Sequence, residues 1–565
     1  MAPYHRISVR LQATLRAAVP ALRLQLARGV LAALGLVCLA GTPADAQDTA
    51  ASWRAAILDT FNSRIGSPDE VTTVVTRASA IGVNVLYVQV RRRGDAFYLD
   101  GSEPAPEGAA IEAAFDPLGD LLAKSRAAGI QVHALVTLGP VWHLATAPAD
   151  PRHVFTRHGF QAGRAVEGAE NWLTRTLQPD GNGTSMEGYR FGNDYWLDFG
   201  HPDVASYCAD LLTRLLQRYP VDGVRLDALH YPEAPGGTAS VGYNAVSVAR
   251  YRARTGQPGV PGQDDARWSD WRREQITALT RRLAVTAAAI RPSLVISVSA
   301  VATGAAPGDQ RGTVAYSRTF QDWFTWVDDG SVDVVVPLLY RAEHVRDTAD
   351  EFAAWTAWLG GRARARAVVV GLGAYQNSLE GLVRQARSAR SAAGALGGVS
   401  FFSLAATNAP VVNNPLSSPA GRDTPQRPFE DFAAALRTGR TTGGQAIEGS
   451  QPALFAVPVP VPVTPWKDVV GHVLGRIEDS SGAAVDGAQV TLDESGRTSG
   501  PVDVVTDGAG VFATPAVTPG AYRLQVVSPA GGAYTSDCTV DVTARAVVRI
   551  TLVVDAARVG VASCR

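Results

Sequence analysis

Cysteine and methionine are nearly absent, with four Cys and two Met in 565 residues. So few cysteines exclude a disulfide-dense scaffold, and no Cys/His spacing has the form of a zinc site. Charge is scarce as well, at 19% of residues, and Lys+Arg 52 against Asp+Glu 53 leave a net charge of −1. That balance excludes a basic nucleic-acid footprint spread over the whole molecule. Membrane-length apolar runs are missing too. The run Gly29–Ala40 has twelve residues, short of the roughly 20 that span a bilayer, and no later segment is longer. What is abundant is apolar residues, at 46%, with 55 Gly and 34 Pro. This is a turn-rich globular composition, not a disordered one.

Residues 1–46 read as an export signal. Arg6, Arg10, Arg16, Arg23 and Arg28 precede the apolar run, and Ala44-Asp45-Ala46 is a small-x-small cleavage site. The expected mature chain begins near Gln47, is periplasmic or extracellular, and has no transmembrane segment. In an oxidising compartment Cys538 and Cys564 could pair, whereas Cys208 lies in an amphipathic stretch that suits a buried thiol.

Eight short runs, each nearly continuous in apolar residues, alternate with amphipathic stretches: 54–59, 83–91, 130–138, 222–227, 294–300, 332–340, 367–374 and 398–404. Strands buried on both faces have this appearance. The helical stretches are 67–81, 116–128, 203–219, 265–290, 317–327, 348–358, 379–393 and about 429–436. Eight strands each followed by a helix predict a (β/α)₈ TIM barrel over 50–440. A Pro-rich linker follows at 441–466, ending in alternating Val-Pro, which favours an extended spacer with few contacts. Short strands separated by Gly, Asp and Pro turns then predict a small all-β sandwich over 467–565.

A TIM barrel builds its site at the C-terminal strand ends. Polar and aromatic residues expected there include Asp59, Gln89, Arg91, Arg93, His133, Trp142, His143, Asp227, His230, Glu233, Tyr340, Glu343 and Asn408.

Several motifs among them carry a resemblance. They are Gln89–Ala96 (QVRRRGDA), Phe115–Leu118 (FDPL), Trp196–Pro202 (WLDFGHP) and Tyr219–Asp227 (YPVDGVRLD). In this order they resemble a glycosyl-hydrolase-like family of bacterial envelope proteins, which includes a glycosidase acting on peptidoglycan strands stripped of their peptides. The resemblance implies a TIM barrel, glycan hydrolysis, a polysaccharide partner and no cofactor or metal. The chain departs from the family pattern at Ala228, where a second Asp is usual, and at Leu338, where Gln is usual. Without those residues, a non-catalytic carbohydrate-binding barrel is the competing expectation.

Glycosidic bonds are usually cleaved by one ionised and one protonated carboxyl. Asp227, beside Arg225, suits the ionised role, with a structural salt bridge to Arg225 as the other reading. Glu233, Glu343 and Glu103 remain open as the acid. Asp59, Arg91, Arg93, His133, Trp142 and Tyr340 are candidate substrate-binding residues. Arginine would hold a sugar carboxylate or acetamido oxygen, and aromatic rings would stack on sugar faces. The C-terminal unit, with Gly487–Leu492 (GAQVTL) and Thr506–Phe512 (TDGAGVF), resembles a carboxypeptidase regulatory-like β-sandwich, which implies a non-catalytic module.

Overall fold

The computed structural model describes residues 50–99, 102–177, 186–361, 366–394, 397–404, 428–494, 502–555 and 560–565. The export signal and Asn408 lie outside the described residues. Eight parallel strands close into a barrel in sequence order. They are β1 (Trp53–Leu58), β2 (Val85–Arg91), β3 (Gln131–Thr137), β4 (Gly223–Asp227), β5 (Val295–Ala300), β6 (Val334–Leu339), β7 (Ala367–Gly373) and β8 (Gly398–Phe402). Helices α1 (Pro68–Ile81), α2 (Pro117–Ala127), α3 (Pro202–Arg218), α4 (Ala266–Ile290), α5 (Trp323–Asp328), α6 (Arg346–Gly360), α7 (Leu379–Ala393) and α8 (Phe429–Thr438) alternate with them. Side chains of Ser67, Asp116, Asp265 and Ser378 cap the starts of α1, α2, α4 and α7 by accepting backbone N–H bonds that those helices cannot satisfy internally.

The period of two along each strand explains why the runs look uniformly apolar. Ala56, Leu58, Leu86, Val88, Val132 and Ala134 pack outward in the core shared with the helices. Ala55, Ile57, Val85, Tyr87, Leu135, Val334 and Val369 fill the barrel interior. The interior is tight. A β-carbon on Gly223 would lie 2.4 Å from the His133 ring, so only glycine fits opposite that histidine.

Two sequence expectations change, and one region with no expectation proves ordered. The stretch 317–327 is not one helix but two short pieces, Val314–Ser317 and α5. Between them Phe320 takes a left-handed φ of 56°, and its ring lies 3.7 Å from the Arg272 guanidinium. The Val-Pro segment forms no helix or strand and is far from contact-free. Arg54 Nη1 donates to the Val457 carbonyl at 2.6 Å, Asn84 Nδ2 to Val459 at 3.1 Å, and Ser52 N to Pro460 at 3.2 Å. Val461 packs on the barrel-interior cluster. Proline lacks a donor but keeps its carbonyl, so this strap is bound by groups on the barrel. Finally, the insert between β3 and α3 forms a small sheet from Pro140–Trp142, Arg190–Phe191 and Asp194–Trp196.

The C-terminal unit has nine strands: β9 (Gly471–Asp479), β10 (Gln489–Asp493), β11 (Val502–Val505), β12 (Val511–Val517), β13 (Gly520–Val527), β14 (Ala533–Ser536), β15 (Val540–Val542), β16 (Val547–Val554) and β17 (Val561–Cys564). The turn pattern alone predicts strands over 469–477, 488–492, 502–506, 522–527, 538–542 and 546–554, and β12, β14 and β17 add to these. β12 contains Pro515, which reads as a breaker, yet it is tolerated because β12 ends the strand order. Cys538 and Cys564 form a disulfide, and Cys208 is free and buried. Among the described residues no helix is long and apolar enough to cross a membrane. The β unit docks on the barrel through Arg250–Asp486 at 2.7 Å, Arg282–Asp507 at 2.8 Å and Lys467–Asp333 at 2.9 Å.

Candidate active site at the barrel mouth

Inward-facing positions continue to the C-terminal strand ends, and there the side chains turn polar. Gln89 follows Val85 and Tyr87, Thr137 follows His133 and Leu135, and Asp227 follows Gly223 and Arg225. Thr137 and Asp227 are direct partners in the β3–β4 register. A hydrogen-bonded row joins these ends. Thr60 donates to Gln89 Oε1 through its N–H at 3.0 Å and its hydroxyl at 2.9 Å. Gln89 Nε2 donates to Thr137 Oγ1 at 3.4 Å, and Thr137 Oγ1 donates to Asp227 Oδ2 at 3.1 Å. Every proton in the row points toward Asp227, which ends it as an acceptor. The backbone just beyond is strained: Ala228 has a φ of 49°, a conformation that costs a residue with a β-carbon about 1–3 kcal/mol.

The opposite wall is aromatic. Tyr340 stacks on Phe402 with centroids 5.3 Å apart and meets Tyr375 edge-on at 6.3 Å. Gly371 and Gly373 leave it room, since a β-carbon on either would lie 3.3 Å from Tyr340. Burial pushes the Tyr340 hydroxyl's pKa well up, against the opposing charge of Arg225. Arg225 itself is buried beneath the mouth. Its Nε donates to Ser299 Oγ at 2.9 Å and its guanidinium lies 4.7 Å from the centre of the Tyr87 ring. Its Nη1 has no hydrogen-bond partner, and among the described residues it makes no salt bridge to Asp227.

The structure brings Asp227, Asp59, Tyr340 and Glu233 to this mouth and leaves the other sequence candidates elsewhere. Glu233 is exposed, accepts from Thr303 at 3.3 Å, and acts electrostatically on His230, as Asp227 does. Glu343 is held by Arg384 on α7 at 3.2 Å. Glu103 is buried in an ion pair with Arg91 at 2.9 Å and also accepts from Tyr207. Arg91 therefore lies behind β3, where it donates to the Thr137 carbonyl, and touches the site only through that residue. Arg93 pairs with Asp194 at 2.6 Å. His133 sits deep in the barrel, edge-on to Trp53 and Tyr87 at 5.7 and 5.5 Å, and burial depresses its pKa to about 3. Trp142 is buried, its indole N–H donating to the Thr146 carbonyl at 2.7 Å. Asp59 is also buried and accepts from Asn62 at 2.9 and 2.6 Å. Burial raises its pKa, opposed by hydrogen bonds from Ser403 and Asn62.

Sequence reasoning passes over Thr137 and Phe402 as members of the site, whereas Gln89 stands among the expected strand-end residues and Trp196 among the aromatic rings that could stack on a sugar. Counting inward positions two at a time from each strand start finds Thr137 and Phe402. Trp196 has no such signal, because the insert folds back over β3 and β4. Its ring covers Gly139, where a β-carbon would lie 2.4 Å away. Among the described residues, one cluster has metal-ligating residue types, Asp537 with Cys538 and Cys564. Its sulfurs are joined in the disulfide.

Known proteins resemble the chain in two blocks. The family described as glycosyl hydrolase-like 10 matches residues 52–381, and the carboxypeptidase regulatory-like domain matches residues 472–553. Glycosyl hydrolase DigH of Escherichia coli strain K12 is 25% identical over 270 residues, covering 46% of this chain and 55% of that protein. Glycosyl hydrolase YngK of Bacillus subtilis strain 168 is 19% identical over 276 residues, 46% of each. The chain thus spans about half the length of the curated relatives it matches. Among solved structures, the glycoside hydrolase domain of PgaB (BpsB) from Bordetella bronchiseptica aligns at 14% identity with a TM-score of 0.44, over 62% of this chain and 94% of that one.

Proposed function

Because the chain belongs to the glycosyl hydrolase-like 10 family, we propose that it is an exported glycoside hydrolase acting on a cell-envelope glycan. Peptide-free peptidoglycan strands are the first substrate to test. The proposed division is a barrel over 50–440, a linker over 441–466 and an accessory β-sandwich over 467–565. One observation carries the reading: a mouth with a polar wall ending on Asp227 and an aromatic wall of Tyr340, Phe402 and Tyr375. A pyranose ring presents hydroxyls at its edge and C–H groups on its face, and these two walls complement both.

In this reading Asp227 serves as the ionised carboxylate, stabilising or attacking the positive anomeric carbon as the C–O bond breaks. Glu233, at the rim beyond His230, supplies the proton that the leaving oxygen takes, and water supplies the hydroxyl of the new reducing end. Glu343 is the less suited acid because Arg384 engages it. Arg93 can meet an anionic sugar substituent only by giving up Asp194. Asp59 lines the mouth beside Ser403, and Arg91, His133 and Trp142 support the site from behind or below.

The test is incubation with purified peptide-free strands and a panel of other glycans, assayed for new reducing ends. Wild type should release them, and Asp227→Asn should retain its fold and glycan binding while losing hydrolysis. General-acid catalysis typically contributes about 10²–10⁴-fold, so Glu233→Gln should lose rate on that order, less with activated leaving groups. Full activity of Asp227→Asn would reject the assignment. The absence of a second acid at Ala228 favours one alternative, a non-catalytic carbohydrate-binding barrel. Binding without cleavage by wild type would establish it.

A further inference from the structure

We propose that His230 and Trp196 form a sugar subsite beside Asp227, in which the indole carries a pyranose ring. In this subsite His230 Nε2 accepts a hydrogen bond from a hydroxyl or acetamido N–H of that ring. The proposal rests on the glycan reading above and names the residues that would select within it.

Trp196 is placed by bare backbone. A β-carbon on Gly139 would lie 2.4 Å from the Trp196 ring and 2.8 Å from the Ala228 carbonyl. The absence of that carbon lets the ring lie across the ends of β3 and β4, one residue beyond Asp227. The ring is half-buried, which suits a platform packed on one face. Trp142, three residues after Gly139, is buried and has its N–H taken, so the insert offers Trp196 in its place.

His230 packs against this platform, with ring centroids 5.3 Å apart and planes at 47°. Its Nδ1 lies 2.7 Å from the Tyr231 carbonyl. A carbonyl can only accept, so Nδ1 carries the proton and the neutral ring presents Nε2 as a lone pair. Among the described residues Nε2 has no hydrogen-bond partner. The charged groups facing the ring are Asp227 and Glu233, and Trp196 is the neighbour from the insert. Burial lowers the imidazole pKa below its ordinary value, with the Tyr231 carbonyl, Asp227 and Glu233 opposing. The ring is therefore neutral at pH 7, and Nε2 is an acceptor among groups that otherwise accept. An acceptor flanked by two carboxylates and an aromatic face calls for a ligand that donates at its edge and is apolar on its face.

The experiment measures binding of chitohexaose and cellohexaose to the full-length Asp227→Asn chain, alone and with His230→Leu, His230→Gln, Trp196→Ala or Trp196→Phe added. A net hydrogen bond contributes about 1 kcal/mol, so His230→Leu should weaken binding about five-fold. His230→Gln, whose amide oxygen can accept, should recover most of that loss. Trp196→Ala should weaken binding more than Trp196→Phe. Affinity of the parent should fall as the solution is acidified and Nε2 gains a proton, and affinity of the Gln variant should not. If the parent binds and His230→Leu binds equally well at every pH, the subsite is overturned and the hydrolase reading stands. If the parent binds no glycan of the whole panel, the carbohydrate reading falls and the subsite with it.

Discussion

Thr137 is small, yet two features of the site converge on it. Its carbonyl is held by buried Arg91, and its hydroxyl accepts from Gln89 while donating to Asp227. Replacing it by Val keeps the shape and removes the one hydrogen bond that the Asp227 side chain accepts among the described residues. A hydrogen bond to a charged group contributes about 1.5–3 kcal/mol, so Thr137→Val should cost roughly 10–100-fold in kcat. Its melting temperature should fall as well, because the methyl fills the hydroxyl's space but leaves buried Gln89 Nε2 without its acceptor. Steady-state kinetics beside thermal melts checks this; unchanged kcat would mean the row does not orient Asp227. Arg91, by contrast, is locked to Glu103 and Tyr207 in the interior. Arg91→Lys should destabilise the fold before it alters substrate affinity, since one ammonium cannot at once replace Nε on Glu103, Nη1 on the Thr137 carbonyl and Nη2 on the Tyr207 hydroxyl.

At the level of elements, the strap and the β-domain core make separate claims. The strap is held at three carbonyls and should resist proteases, although its composition reads as a linker. Arg54→Met removes the donor to Val457 and the cation lying 4.7 Å from the Phe455 ring. Cleavage within about 455–465 should then accelerate, as mass spectrometry of timed digests would show; unchanged digestion would mean the remaining bonds suffice. In the β unit, Gly475 lies under Phe512, where a β-carbon would sit 2.1 Å from the ring. Gly475→Val should destabilise this unit by about 1–3 kcal/mol, read as an earlier unfolding step in urea.

The whole molecule carries its acid sensitivity in neutral histidines. Burial depresses the pKa of His133 to about 3, and those of His153 and His472 to about 4. Unfolded, each would titrate near 6.5, so below that pH the unfolded chain binds more protons than the native one. Stability should therefore be complete above pH 6.5 and fall as pH drops toward 4. Asp59 and Asp95 act with the opposite sign, because burial raises their pKa and the native chain holds their protons more tightly. Urea unfolding at pH 7.5, 6.0 and 5.0 checks the slope, which His472→Gln should flatten. A stability independent of pH over that range would contradict the buried neutral state.

Local pattern determined the barrel: eight apolar runs with period-two filling, helices capped by Ser and Asp, and a turn-rich second unit. These properties depend on neighbours a few residues apart, so they are legible along the chain. It also marked Asp227 and Tyr340, because strand ends in a barrel share one face. What only the tertiary structure decided is where long side chains point. Arg91 and Glu103 look like site residues by position, but a bulge between Gln89 and Arg91 in the β2–β3 pairing accompanies the turn of Arg91 behind β3. Trp142 and Trp196 are equivalent in composition, and folding of the insert buries one and lays the other over the mouth. Thr60, Gln89, Thr137, Trp196 and Asp227 with nearby His230 come from strands and loops far apart in sequence. Closure of the barrel alone sets their distances, and a one-dimensional reading has no term for it.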